Sequence, residues 1–353
     1  MLKKTLLLLT IVAILVVPVS DAALLTSIQS SGSLRYDTPD VSLVLPQPGD
    51  ITYGGTPPGS TYGPMTEKVA MIQNFLALAN ANPSLVTVQS IGKCYPKQGY
   101  PAWDLVIFKV GNPSGGRVMW DSCMHGLEDA GVEVIYALYK WLLAPTDTQR
   151  ANANLETRRQ RILANNYIAF FPYVDWRWSR MNFNYDANPA SGTDGDGDGL
   201  PYGVNLARDF RNSHEEGLPD NYAPPGPYTQ PETQAIVNFW NTWNDAGNWF
   251  YANLHQGTSY VGGSMAGTLA TQCRSLRDSL YAELFGGSPS QDIGSGNYAA
   301  SADAVEYYGC SGGFWAELGG WARTYKTSLT SGAIYKDLLS LLAAMCELVE
   351  TAP

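Results

Sequence analysis

Histidine is almost absent from this chain: three residues in 353, His125, His214 and His255. Any imidazole-based metal site has to be assembled from those three. Basic residues are also few, 22 Lys and Arg against 32 Asp and Glu, a formal net charge of −10. Binding a phosphate backbone needs clustered Lys and Arg, and only Arg158-Arg159-Gln160-Arg161, on an expected helix surface, comes close. Nucleic acid is therefore not expected as a partner. There are five cysteines, Cys94, Cys123, Cys273, Cys310 and Cys346. An odd count leaves at least one thiol outside any intrachain disulfide framework, and Cys273 with Cys310 is the preferred pair. Beyond the N-terminus no apolar run reaches the roughly 20 residues that span a bilayer, and no internal repeat is visible.

The N-terminus itself is distinctive. Met1-Leu-Lys-Lys-Thr5 is followed by an apolar run from Leu6 to Val17 and by small residues up to Ala22. A basic start, an apolar middle and a small-residue cleavage site make an export signal over residues 1–22, so a secreted protein with no stable membrane span after cleavage is expected. Those residues carry Lys3, Lys4 and Asp21, a net +1, so their removal takes the charge from −10 to −11. Residues 23–62 are rich in Ser, Gly, Pro and Thr and read as an N-terminal extension or short pro-segment. Residues 63–353 read as one domain, and 45% hydrophobic residues are enough to bury a large core.

Within that domain helical and strand patterns alternate. Val69, Ile72, Phe75 and Leu76 recur at helical spacing behind Thr66, and Asn82-Pro83 stops the run. Short runs rich in β-branched residues follow at 85–91, 103–110 and 117–123. Helices are expected at 129–143, 147–163, 231–245, 265–285 and 332–350, and further strands at 167–171, 248–254 and 313–318. The alternation predicts an α/β fold, a single domain with a central mixed, mostly parallel, twisted sheet covered by helices on both faces. In such sheets ligands gather at the carboxyl ends of strands.

Two histidines sit at those ends. The strand Arg117–Cys123 delivers His125 and, three residues on, Glu128. Residues at i and i+3 project from one side of a helical turn, and imidazole and carboxylate both suit Zn²⁺. A catalytic zinc site takes three protein ligands and keeps one position open for water. His214 lies in a polar loop, Arg211-Asn-Ser-His-Glu-Glu216, whereas His255 directly follows the apolar run Trp249–Leu254. His255 is the better third ligand, and His125, Glu128 and His255 together fit a His₂Glu catalytic site for one Zn²⁺.

With those residues in place the chain resembles the funnelin-type zinc carboxypeptidases, whose pattern is His-x-x-Glu followed far downstream by a His after a strand. Trp178-Ser-Arg180-Met-Asn182 resembles the family's Trp-Arg-Lys-Asn stretch, and Gly203-Val-Asn-Leu-Ala-Arg208-Asp-Phe210 its Gly-Val-Asp-Leu-Asn-Arg-Asn-Phe. Pro231-Glu-Thr-Gln-Ala235 resembles a family helix start, and Phe314-Trp-Ala-Glu317-Leu318 the strand that presents the catalytic Glu. The resemblance covers about residues 62–350. It implies hydrolysis of the C-terminal peptide bond of peptides or proteins, with Glu317 as general base and Arg180 stabilising the oxyanion. It further implies that Arg208 grips the substrate's terminal carboxylate, that Tyr298 closes over the substrate, and that the base of the specificity pocket falls near Ala302 and Asp303. Ala302 there makes a permissive pocket; Asp303 pointing inward favours Lys or Arg.

The chain departs from that pattern at Ala207, where the family has Asn, and at Leu127, where it commonly has Arg. Both remove polar contacts to substrate and open the reading of an unusual terminal residue or a zinc amidase acting on cell-wall-type peptides. Asp194, Asp196 and Asp198 alternate with glycines, as in the first half of a calcium-binding loop, but the position of the usual closing Glu is Asn205. Ca²⁺ binding and a solvated acidic turn both fit that stretch. Gly309-Cys-Ser311-Gly-Gly313 matches a serine-hydrolase elbow, yet no histidine follows residue 255, so a triad cannot form in that order. The non-enzyme reading is an exported calcium-dependent binding protein of the same fold. Joint retention of His125, Glu128, His255, Arg180 and Glu317 speaks against it, since a scaffold has no physical need for a base beside a metal site.

Overall fold

The computed structural model describes residues 43–45, 66–94, 102–126, 128, 130–176, 183–185, 203–212, 226–244, 249–257, 260–265, 268–289, 294–295, 299–319 and 333–349. In chain order these form α1 (Thr66–Ala81), β1 (Val86–Lys93), β2 (Asp104–Gly111), β3 (Gly116–Ser122), α2 (Ala130–Leu143), α3 (Asp147–Ala151), α4 (Ala153–Asn165) and β4 (Asn166–Phe171). Then come β5 (Phe183–Tyr185), β6 (Gly203–Asn205), α5 (Pro231–Trp243), β7 (Trp249–Gly257), β8 (Tyr260–Met265), α6 (Thr268–Phe285), β9 (Gly294–Ser295), α7 (Ala299–Tyr307), β10 (Gly312–Gly319) and α8 (Ala333–Val349). Eight strands make one sheet in the order β1-β2-β4-β3-β7-β10-β8-β9, and β5 pairs with β6 apart from it.

The middle of the sheet is parallel: β3 pairs in parallel with β4 and β7, and β7 with β10. Antiparallel pairs flank it at β1–β2, β2–β4 and β8–β10. Strands buried on both faces need apolar side chains on both, and β4 (Asn-Tyr-Ile-Ala-Phe-Phe) is buried along its whole length. Each fully buried Phe of that strand is worth roughly 2–3 kcal/mol of burial. Helices cover both faces. Trp240 of α5 packs edge-on against Tyr251 on one face of β7. On the other face α2 approaches so closely that a Cβ on Gly131 would lie 2.3 Å from Ser122 Oγ and 2.7 Å from Leu254 Cβ. Only glycine allows that approach, and it draws the start of α2 against the strands that carry the metal ligands.

Two expectations change. The helix expected over 147–163 is two helices, because Thr146 and Gln149 form a reciprocal capping box on α3 and Asn152 then caps α4 through Asn154 N and Leu155 N. Cys273 and Cys310 are not bridged; all five cysteines are buried and outside any disulfide. The Cys310 thiol is turned to the carbonyls of Trp249 (3.4 Å) and Gly312 (3.1 Å), and burial pushes the Cys273 thiol up to about 12. Both behave as small core residues. Within the 23–62 segment, residues 43–45 lie against the start of β2: Asp104 N donates to Val44 O at 2.8 Å, and Val44 N donates to Asp104 Oδ2 at 2.6 Å.

Candidate metal and active site

The site grows from the carboxyl ends of β3, β7 and β10. Past Ser122 the chain turns sharply. Cys123 takes a left-handed conformation, φ 58°, held by its thiol to Gly126 O (3.4 Å) and by Asp175 N donating to Cys123 O (2.9 Å). A non-glycine residue in that conformation is strained, and such strain persists only where surrounding bonds enforce it. The turn closes with Glu128 N donating to His125 O at 2.8 Å, which sets the two side chains on one side. Lys68, fully buried, donates to Asp175 O (3.2 Å) and Trp176 O (3.3 Å) and fixes the neighbouring turn after β4.

His125, Glu128 and His255 converge as spacing and strand position suggest, with one ligand atom from each within 4.8 Å of the others. His125 Nδ1 lies 2.8 Å from Glu128 Oε1, and His255 Nδ1 lies 2.7 Å from Glu128 Oε2. Both imidazoles therefore point Nδ1 into the site and Nε2 away from it. His125 Nε2 donates to Asn205 Oδ1 (3.0 Å), and His255 Nε2 donates to Asn253 Oδ1. With a metal at Nδ1, each outer acceptor would keep the ring's proton on Nε2. Two neutral imidazole nitrogens and one carboxylate are a donor set that zinc accepts, so the residues fit the ion.

Burial drives the electrostatics. It pushes Glu128 up, but His125 and His255 outweigh it and hold the carboxyl down at about 2. Burial pushes His125 down, and Glu128 and the Asn205 bond more than restore it, giving a net rise. For His255 burial wins over the pull of Glu128, and the ring stays below its ordinary value. A deprotonated carboxylate is the form a metal needs.

Behind His255 lies a buried polar row that sequence reading missed. Asn253 Nδ2 donates to Asp121 Oδ1, and Tyr251 OH donates to Asp121 Oδ2. All three residues are fully buried, and burial pushes Asp121 up to about 7, only partly offset by those two bonds. The alternation Tyr251-x-Asn253-x-His255 on one strand was the available signal: three polar side chains on one sheet face.

Glu317 of β10 is the direct register partner of His255 in β7. It is half-buried, and its Oε1 accepts from Trp315 Nε1 at 3.1 Å. Arg208 ends a 3-10 turn, Leu206–Arg208, that Asn205 caps by accepting from Ala207 N at 3.0 Å. One oxygen of Asn205 thus serves both the His125 ring and the Arg208 turn. The Arg208 charge reaches His125, where it acts against protonation of the ring.

Asp303 is not placed as expected. Its Oδ2 accepts from Arg211 N (2.7 Å) and Tyr228 OH (2.6 Å) and its Oδ1 from Asn212 N (2.7 Å). Both oxygens are committed to the chain that follows Arg208, so this carboxylate is not a pocket charge for Lys or Arg. Ala302 beside it is buried in α7. Arg180, Tyr298, Leu127, His214 and Asp194, Asp196 and Asp198 lie outside the described residues.

A family profile described as zinc carboxypeptidase matches residues 71–270. This chain belongs to the zinc carboxypeptidase family. The match spans more than half the chain and includes His125, Glu128, Arg180, Arg208 and His255, ending before Glu317. Among solved structures, carboxypeptidase A from Helicoverpa armigera is similar with a TM-score of 0.55 and 16% identity, over 79% of this chain and 72% of that one. Bovine thrombin-activatable fibrinolysis inhibitor, solved with a tick carboxypeptidase inhibitor, gives 0.52 and 14%, over 83% and 99%. A metallo-carboxypeptidase from Burkholderia cenocepacia gives 0.50 and 15%, over 81% and 69%. At such identities these likenesses speak to the fold, a zinc carboxypeptidase α/β domain. No curated protein matches in sequence. Membership makes this zinc carboxypeptidase a metal-dependent hydrolase acting on peptide C-termini, and none of its described helices is long and apolar enough to cross a membrane.

Proposed function

We propose that the protein is a secreted zinc carboxypeptidase in which Glu317 is the general base, Arg180 the oxyanion donor and Arg208 the grip on the substrate's terminal carboxylate. The observation that carries the reading is the register of β7 and β10, which sets Glu317 beside His255 at one edge of the His₂Glu cluster. His125, Glu128 and His255 would hold a zinc ion, which would supply Lewis acidity to the scissile carbonyl and a lowered pKa to a water. Glu317 takes the proton of the attacking water and returns it to the leaving nitrogen. Arg180 stabilises the charge that develops on the carbonyl oxygen, a contribution of roughly 3–4 kcal/mol for one well-placed donor. Arg208 meets the carboxylate as a two-pronged fork, which makes a free C-terminus the distinguishing feature of a substrate. Because Asp303 is engaged by Arg211 N, Asn212 N and Tyr228 OH, a neutral terminal side chain fits better than Lys or Arg. Export rests on the Met1–Ala22 pattern.

Glu317→Gln keeps the shape and removes the base, and kcat is expected to fall by at least about 100-fold with zinc still bound. Retention of activity would sink the base assignment. A paired peptide, free and amidated at its C-terminus, tests Arg208: equal cleavage of both rules the grip out.

A further inference from the structure

We infer that Trp315 is a positioning residue that holds Glu317 and the ligand His255 in working geometry at the same time. The inference rests on the Glu317 reading above and adds a residue to it. On β10, Trp315 and Glu317 are two apart and so share a face, and their register partners in β7 are Asn253 and His255. Across the sheet the row Asp121–Asn253–Trp315 therefore lies one step behind the row that ends in His255 and Glu317.

Trp315 reaches forward from that row with two different surfaces. Its indole N–H donates to Glu317 Oε1 at 3.1 Å. Its ring face stacks on the His255 imidazole, centroids 3.7 Å apart and planes at 18°. The side chain is nearly enclosed, with 7% exposure, so neither contact is a loose surface encounter. The bond holds Glu317 through its Oε1. The stack fixes the plane of His255, while the Nε2 bond to Asn253 fixes its rotation within that plane. A carboxylate with one oxygen tethered cannot swing away from the reacting water, and orientation of this kind acts on kcat rather than on substrate affinity.

The test uses the full-length zinc-loaded protein and separates the two surfaces. Trp315→Phe keeps an aromatic face over His255 and removes the N–H. Loss of one hydrogen bond to a carboxylate is expected to lower kcat about 10-fold, with KM within about twofold and the zinc dissociation constant, read by chelator competition, unchanged. In a Glu317→Gln background the same change is expected to cost nothing further. Trp315→Ala removes the stack as well, and zinc affinity is then expected to weaken about 10-fold. A wild-type kcat in Trp315→Phe, or an equal loss in both backgrounds, would overturn the positioning of Glu317; unchanged zinc affinity in folded Trp315→Ala would overturn that of His255. If Trp315→Ala does not fold, restoration of zinc affinity from Trp315→Leu to Trp315→Phe decides the second point. Failure of the base reading is separate, since it appears as activity retained in Glu317→Gln alone.

Discussion

Two corners of this molecule use carboxylates in opposite ways. At the ends of β3 and β7, Glu128 offers one oxygen to His125 Nδ1 and the other to His255 Nδ1, so three donor atoms face a common point. At the turn that carries Arg208, Asp209 accepts from Thr229 N, Thr229 Oγ1, Gln230 N and Thr233 Oγ1, and Asp303 accepts from Arg211 N, Asn212 N and Tyr228 OH. In the first corner the groups are held by bonds from behind and left to converge on a ligand. In the second they are saturated by the chain itself and shape a loop. The difference teaches that a buried acid is read by its donors: backbone N–H groups make it an anchor, imidazoles held from outside make it a ligand.

Asp209 shows the anchor role clearly. Gln230 at the start of α5 makes no side-chain cap, and Asp209 caps it from another segment through Gln230 N and Thr233 Oγ1. Because Tyr228 N also donates to Asp209 O at 2.6 Å, α5 and the Arg208 turn are one unit.

The largest expected effect tests the ligand side. Glu128→Ala should weaken zinc binding by well over about 100-fold, more than the loss of an outer partner gives, while the chelated protein keeps its thermal midpoint within a few degrees. A large fall in that midpoint would show Glu128 to be an anchor after all and erase the contrast. Asp209→Ala should do the reverse. It strands the buried Gln230 amide and Thr233 hydroxyl, a loss of about 3 kcal/mol in urea unfolding, with zinc affinity of the folded protein nearly unchanged.

Asn205 belongs to both corners, since its oxygen takes His125 Nε2 and Ala207 N. Asn205→Ala should therefore weaken zinc binding about 10-fold and also raise KM for a free-C-terminal peptide, whereas Asn205→Asp keeps the acceptor and recovers both. An effect on only one of the two readouts would separate the corners.

A pH effect concerns Asp121, which burial pushes up to about 7 from an ordinary 3.8. The folded state binds this proton more tightly than the unfolded chain, so the group costs nothing below about pH 4 and progressively destabilises the fold as pH rises to about 7. Urea midpoints of the chelated protein should therefore fall from pH 4.5 to 7.5 relative to those of Asp121→Asn. An opposite slope of that difference would show the Asp121 charge to be stabilised by its neighbours.

Much of this arrangement was legible in the chain. Three histidines, one of them three residues before a Glu and one after an apolar strand, narrow the metal site to a single set, and Phe314-Trp-Ala-Glu317 puts an acid on a strand that the structure pairs with the His255 strand. Helical spacing placed α1, α2, α5 and α8 within a few residues. β5, β6, β8, β9 and α7 were not expected, and two of these, β8 and α7, were hidden by packing. In β8, Tyr-Val-Gly-Gly-Ser-Met lacks the β-branched run that marks a strand, and a Cβ on Gly263 would lie 2.7 Å from the Phe314 ring, so glycine is there to admit a neighbour from β10. In α7, Ala299 to Ala304 are all buried, and a run of small residues with no polar face lacks the amphipathic period that marks a surface helix.

What the sequence determined by itself was the chemistry on offer: which side chains exist in so small a supply of histidine, which elements carry them and at which strand ends they emerge. Those are local properties, set by spacing and side-chain type. Tertiary structure alone decided that Asp303 is an anchor, that Asn205 joins the metal corner to the Arg208 turn, and that Trp315 lies against both His255 and Glu317. Each depends on the strand order β1-β2-β4-β3-β7-β10-β8-β9 and its register. Pairing of segments far apart in the chain is set by how whole faces pack, and no local pattern records it.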